Sequence, residues 1–227
     1  MGLRSKLREE GVTVTTVLFE FFIILAGVYV AIAFDDFVTK RESATQARAA
    51  LIAVAAEVER DKEDIHEVLG VQRDRLEAYA GIVSALENPA TESTHLDSLF
   101  RAHVSPNRTF FPRNSAYTVM LTSDQLIHVS NETLRLRLID LYERDYERLA
   151  RNGEVFDNAH QGELQREIVS HWDYKNLRLR EGQRSREALT NAALRMDQWA
   201  SRYMTLLESH VPVLDSALSG IEAYVAR

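Results

Sequence analysis

From Val12 to Phe34 the chain carries a single charge, Glu20, and from Phe21 to Phe34 every position except Gly27 is apolar. A core helix of a soluble protein keeps a polar stripe on its solvent side. This run has none, and at ~1.5 Å rise per residue it covers roughly 30–35 Å, about one hydrocarbon thickness. The pattern predicts a membrane-spanning helix. A cleaved export signal is the competing reading, with Arg4, Lys6 and Arg8 as its basic start and Ala31-Ile32-Ala33 as its cleavage site. The apolar run is long for such a signal, so residues 1–39 are expected to be a tail and a retained anchor.

Beyond residue 40 the apolar positions become periodic. Ala47, Leu51, Val54, Val58, Ile65, Val68, Leu76, Tyr79, Val83 and Leu86 recur at steps of three and four, with Asp61 and Gln72 as polar interruptions and one doubled four. A helix is expected over about 40–87, continuous with the span and ended by Asn88-Pro89-Ala90-Thr91. A short helix follows over Thr94–Val104, a loop over Ser105-Pro106-Asn107 and Phe111-Pro112-Arg113, and a second short helix over Ser115–Thr122. Asn131 then offers a cap to a helix over about 131–152, with Leu134, Leu138, Leu141, Asp145 and Leu149 at helical spacing.

The last segment, about 185–227, has the most regular seam: Leu189, Ala193, Met196, Ala200, Tyr203, Leu207, His210, Leu214, Ala217, Ile221 and Tyr224. Pro212 lies off this seam and predicts a kink near Ser209. Long helices with matching seams pack most simply antiparallel. The expected fold is therefore all-α: one N-terminal transmembrane helix continuing into an extramembrane antiparallel bundle of residues 40–227.

Composition narrows the chemistry. The chain of 227 residues has nine Gly, four Pro and no Cys, which suits long helices and excludes disulfides, thiolate catalysis and cysteine-held metal or haem. Its net charge is −7; an acidic body without a basic patch argues against nucleic acid as a partner. The histidines form no H-E-x-x-H or other close pair, and no phosphate-binding or nucleophile-elbow motif is present. Glu57 and Asp61 share a helix face, as metal carboxylates do in four-helix bundles. No second Glu-x-x-His motif accompanies Glu63 and His66 on a paired helix, so a charged solvated face with Arg60 and Lys62 is the simpler reading. No catalytic, cofactor or metal residue is assigned, and no enzymatic activity is expected.

Two places point to partners. Glu20, Gly27 and Ala31 stand at i, i+7 and i+11 on one face of the span. Small residues let a second helix approach, and lipid does not solvate a carboxylate. Asn114 and Tyr117 are candidates for a partner-binding patch; alternatively Asn114 or Ser115 caps a helix and Tyr117 fills the bundle end.

Glu20, Gly27-Val28, Val30-Ala31 and Asp35-Asp36-Phe37, followed at a distance by Asn114-Ser115-Ala116-Tyr117 and Leu126-Ile127, resemble a family of uncharacterised bacterial single-span proteins. That family shows E-x6-G-[IV]-x-[IV]-A, then an Asp/Asn pair and a Trp, then a Ser-Ala-Tyr block. Phe37 stands here where Trp is usual, and Asp124-Gln125 where a glycine often precedes the Leu-Ile pair. The resemblance implies an anchor-plus-helices layout over roughly 15–150 and no reaction.

The expected function is that of a membrane-anchored accessory or scaffold subunit, held in lipid and bound to an integral membrane protein complex. Respiratory, photosynthetic, transport and secretion assemblies fit equally. Basic residues flank the span on both sides, Arg4, Lys6 and Arg8 before it and Lys40, Arg41 and Arg48 after it. The compact first cluster favours a cytoplasmic N-terminus and a periplasmic body at a bacterial inner membrane. The alternatives are a self-dimerising sensor, whose heptad stalk takes its register from Asp61 and Gln72, and a metal-dependent or hydrolytic enzyme.

Overall fold

The computed structural model describes residues 14–88, 93–99, 107–173, 175–176, 178–180 and 183–226. The basic cluster Arg4, Lys6, Arg8 and the expected elements over 89–92 and 100–106 lie outside them. The first element, α1 (Val14–Glu87), is one helix of 74 residues, ~110 Å long. No proline interrupts it, so the apolar run and the first body helix form a single rod. Every residue from Thr16 to Phe37 is exposed, and the core starts at Ala47.

The buried seam of α1 is Ala47, Leu51, Val54, Val58, Asp61, Ile65, Val68, Gln72, Arg75, Tyr79, Ile82 and Leu86. Threes and fours alternate along it without a slip. The expected doubled four is corrected here: beyond Gln72 the interior positions are Arg75 and Ile82, while Leu76 and Val83 are only half-buried. Gly70 sits on α1 with nothing within 4 Å of a Cβ built there. Gly70→Ala is therefore expected to stabilise the protein by about 0.5–1 kcal/mol, through helix propensity alone. Thermal melting of the full chain in detergent checks this by an upward Tm.

The chain then makes α2 (Ser93–Leu99) and returns along α1 as an extended segment from residue 107. It continues as α3 (Ser115–Thr122) and a 3-10 turn over Gln125–His128. Asp124, before that turn, is left-handed with φ 56°. Glycine takes this conformation without strain, and Asp is among the few other residues that tolerate it. Next comes a long helical rod made of α4 (Glu132–Asp140), α5 (Glu147–Ala159) and α6 (Gln165–His171), joined by π-helical turns over Leu141–Tyr146 and His160–Leu164. The Asn131 side chain accepts from Leu134 N and caps it. This rod runs on past 152 to His171. A two-residue antiparallel pair, β1 (Trp172–Asp173) with β2 (Arg178–Leu179), turns the chain into α7 (Gln183–Val225).

α7 passes through Pro212 as one helix and lies antiparallel on α1. Arg48 stacks over Tyr224 at 6.0 Å, Lys62 pairs with Asp215 at 2.6 Å, Arg73 with Glu208 at 3.5 Å, and Arg186 Nη1 donates to the Leu86 carbonyl at 2.9 Å. Every seam residue of α7 from Leu189 to Ile221 is buried, and Tyr224 is half-buried. The Leu134–Phe156 stretch packs on the same helix: Arg137 Nη1 donates to the Ser216 carbonyl at 2.8 Å, and Phe156 stacks on Tyr203 at 5.2 Å. Two helical rods thus rise and α7 descends, with residues 107–131 filling the remaining downward lane. The heptad seam of α1 packs on the chain's own α7 and on its returning segment.

Candidate functional site

The returning segment is held by a stripe of α1 side chains one to two turns apart. Glu57 accepts from the Ser115 hydroxyl and from Ala116 N at 2.9 Å. Asp61, 0% exposed, accepts from Arg113 N at 3.1 and 3.2 Å and from Arg113 Nη1 at 2.7 Å. Asp64 lies 3.2 Å from Arg113 Nη2 and 3.0 Å from Arg108 Nη2, which also reaches Glu67 at 2.5 Å. Gln72 Nε2 donates to the Arg108 carbonyl at 2.7 Å. Arg75, 1% exposed, donates to Asn107 Oδ1, to Gln72 Oε1 at 3.3 Å and to Tyr79 OH at 3.0 Å.

The far side of the segment is held from the other rods. Asn107 Nδ2 and the Thr109 hydroxyl donate to Asp157, the latter at 2.8 Å, and Phe110 N donates to Tyr203 OH at 2.8 Å. Gly153 permits this closeness: a Cβ there would stand 3.3 Å from Tyr203 OH and 3.4 Å from the Phe110 carbonyl. Extended backbone cannot satisfy itself as a helix does. Pro112 keeps the segment from being helical, and the neighbouring side chains supply its partners.

This geometry changes several sequence expectations. Asp61 and Gln72 are loop anchors inside one chain. Glu57 and Asp61 are not a solvated face; their oxygens are occupied by the loop. Among the described residues no three His, Asp or Glu gather where one metal ion could be held. Asn114 is exposed and its side chain does not cap α3; Glu57 meets that helix start instead. Tyr117, expected as a partner-binding candidate, is 4% exposed and stacks on Tyr142 at 4.1 Å and 2°. The ladder continues edge-on through Tyr146 at 5.0 Å to Phe110 at 6.1 Å. The π turn over Leu141–Tyr146 brings Tyr142 and Tyr146 inside and leaves Asp145 at the margin.

Electrostatics follow from this burial. Burial raises the Asp61 carboxyl above its ordinary 3.8, against the opposing pull of Arg113 and the nearby Tyr146 hydroxyl. The Tyr142 and Tyr146 hydroxyls lie buried outside hydrogen-bond geometry, and burial plus the charges of Glu57 and Asp61 push both phenols upward. Burial and Glu143 push Tyr117 up to about 12. A raised carboxyl favours the folded state most below its ordinary value, and that contribution fades as pH rises through the raised one. Asp61→Asn, which keeps an acceptor for Arg113, is therefore expected to gain stability relative to the native chain as pH rises above about 4. Urea titrations of both proteins in detergent at several pH values read the crossing.

On the span, Glu20, Gly27 and Ala31 are all exposed, and a Cβ at Gly27 would meet nothing within 4 Å. His210, in the α7 seam, is a core histidine whose Nδ1 lies 2.7 Å from the Leu206 carbonyl.

These features define an all-helical protein in which an exposed apolar helix, long and apolar enough to cross a membrane, continues into a packed bundle. A family model matches residues 20–177, and the chain belongs to that family, a family of unknown function (DUF6090). The match takes in Glu20, Gly27, Ala31, Asn114 and Tyr117 and stops short of α7. No curated protein and no solved structure matches the chain.

Proposed function

We propose that the protein is a membrane-anchored accessory or scaffold subunit of a larger integral membrane assembly, at a bacterial inner membrane with its N-terminus cytoplasmic and its bundle periplasmic. One observation carries the reading. Val17–Phe34 is exposed helix, apolar but for Glu20, a surface that water disfavours at roughly 25 cal/mol per Å², and it continues into a folded body. Lipid covers most of such a surface. The face of Glu20, Gly27 and Ala31 suits a neighbouring helix better than acyl chains. A binding role is also favoured because the bundle's buried polar groups hold its own returning segment.

The test is co-purification from native membranes solubilised in mild detergent. The native chain is expected to bring a membrane protein with it in fixed ratio. Gly27→Leu, which fills the close-approach position and leaves the bundle untouched, is expected to cut that recovery severalfold. Recovery of a lone monomer, unaffected by Gly27→Leu, would refute the proposal.

A further inference from the structure

A groove of about 450 Å³ lies between α5 and α7, lined by Arg148, Asn152, Phe156, Trp199, Arg202 and Leu206 among others. Its volume is in the range of ligand-binding clefts. The floor is rigid: Phe156 stacks on Tyr203 with 22° between the planes, and the Arg75 guanidinium lies 5.6 Å from the Phe156 centroid. Trp199 is half-buried beside it.

The charge pattern sets this groove apart. The chain has 34 Asp and Glu against 27 Lys and Arg, yet no carboxylate lines the groove. Arg148 and Arg202 are exposed, and neither has an ion-pair partner among the described residues. Other grooves of the protein each carry a carboxylate: Glu167 in one, Glu42 in a second, Glu143 and Glu147 in a third. Arginine with a planar aromatic floor is the composition of protein-binding hot spots, and guanidinium takes carboxylate in two parallel hydrogen bonds.

We propose that the groove receives an acidic peptide segment bearing an apolar side chain, supplied by the extramembrane part of the partner subunit. The inference rests on the accessory-subunit reading and adds where, and by what chemistry, the bundle is gripped. The apolar side chain lies against the half-buried Trp199 and Leu206, above the buried Phe156, while flanking carboxylates take Arg148 and Arg202. Anionic lipid is out of reach. The Arg73–Glu208 pair sets the groove's level, roughly 60 Å along the α1 axis from Phe34, the last residue of the apolar run.

Photo-crosslinking in living cells tests this with the full chain. Benzoylphenylalanine is placed at Thr205, on the groove, and separately at Ile24, on the Glu20–Gly27–Ala31 face of the span. The Thr205 probe is expected to label the same protein as the Ile24 probe, at a segment rich in Asp and Glu. Arg148→Glu with Arg202→Glu is expected to reduce the Thr205 adduct by about tenfold or more, while the Arg→Lys pair retains most of it. Circular dichroism melts of the variants check that the bundle is intact. An Ile24 adduct without a Thr205 adduct overturns the groove proposal and leaves the accessory reading standing. So does a Thr205 adduct on lipid, on a second copy of this chain or on a non-acidic segment, or one indifferent to charge reversal. Absence of both adducts overturns both readings.

Discussion

Arg75→Ala is expected to destabilise the protein by about 3–5 kcal/mol. The guanidinium joins Gln72, Asn107 and Tyr79 and lies within 6 Å of both the Tyr79 and Phe156 rings. Truncation leaves the buried Gln72 and Tyr79 and the half-buried Asn107 without their donor and opens a void between two aromatic rings. Burial lowers the Arg75 pKa and its Nε finds no acceptor among the described residues, so the native protein already bears a desolvation cost there. Arg75→Met separates the contributions: it restores the packed stem and not the hydrogen bonds, and should lose about 1–3 kcal/mol. Urea titration of the full chain gives the energies. Hydrogen exchange should show residues 107–114 losing protection first. An Arg75→Ala protein within about 1 kcal/mol of the native one would mean that other groups hold the returning segment.

Leu25→Arg combined with Val28→Arg is expected to abolish membrane retention. Both residues lie near the middle of the exposed apolar run, where each arginine opposes insertion by about 2.5–3.5 kcal/mol. Together they cost about 5–7 kcal/mol, and the bundle, whose core begins at Ala47, is left unchanged. Alkaline extraction of membranes should keep the native chain in the pellet and release the double variant to the supernatant or to degradation. The intact mass of the pelleted native chain should include the apolar run, which separates a retained anchor from a removed signal. A native chain in the soluble fraction would refute the anchor.

The helices were legible in the sequence because their signal is a repeated apolar choice. The α7 seam could be read from Leu189 to Ile221 without error, since its fours and threes alternate without a slip. The α1 seam was legible to Gln72 and again at Tyr79 and Leu86, and was misplaced by one residue at two turns between them. Its next member after Gln72 is Arg75, which any hydrophobicity argument places outside, and the reading moved to Leu76. What permits a buried arginine is Asn107, more than thirty residues away in sequence, and its acceptor oxygen is invisible to local periodicity. The threes and fours themselves held a clue, because strict alternation after Gln72 lands on Arg75. Tyr146 was lost for a different reason: a π turn adds a residue to the helical repeat, so Asp145 held the expected phase and Tyr146 the real one. The clasp on residues 107–116 is made entirely of long-range side-chain-to-loop bonds, which spacing cannot forecast. The span and its small-residue face needed only composition and the helical repeat. The groove of Arg148 and Arg202 depends on which arginines find acids, and that only the fold decides.

The unbroken course of α1 has a mechanical consequence. From the middle of the apolar run to Glu87 there are about 90 Å of helix, without a proline or a linker to absorb rotation. A tilt of about 10° in the bilayer, well inside the range that spans adopt, would sweep the far end sideways by ~15 Å. Under the anchored reading proposed above, the chain would be a lever pivoting in the lipid, and whatever reorients the apolar end would be reported, magnified, at the tip of the body.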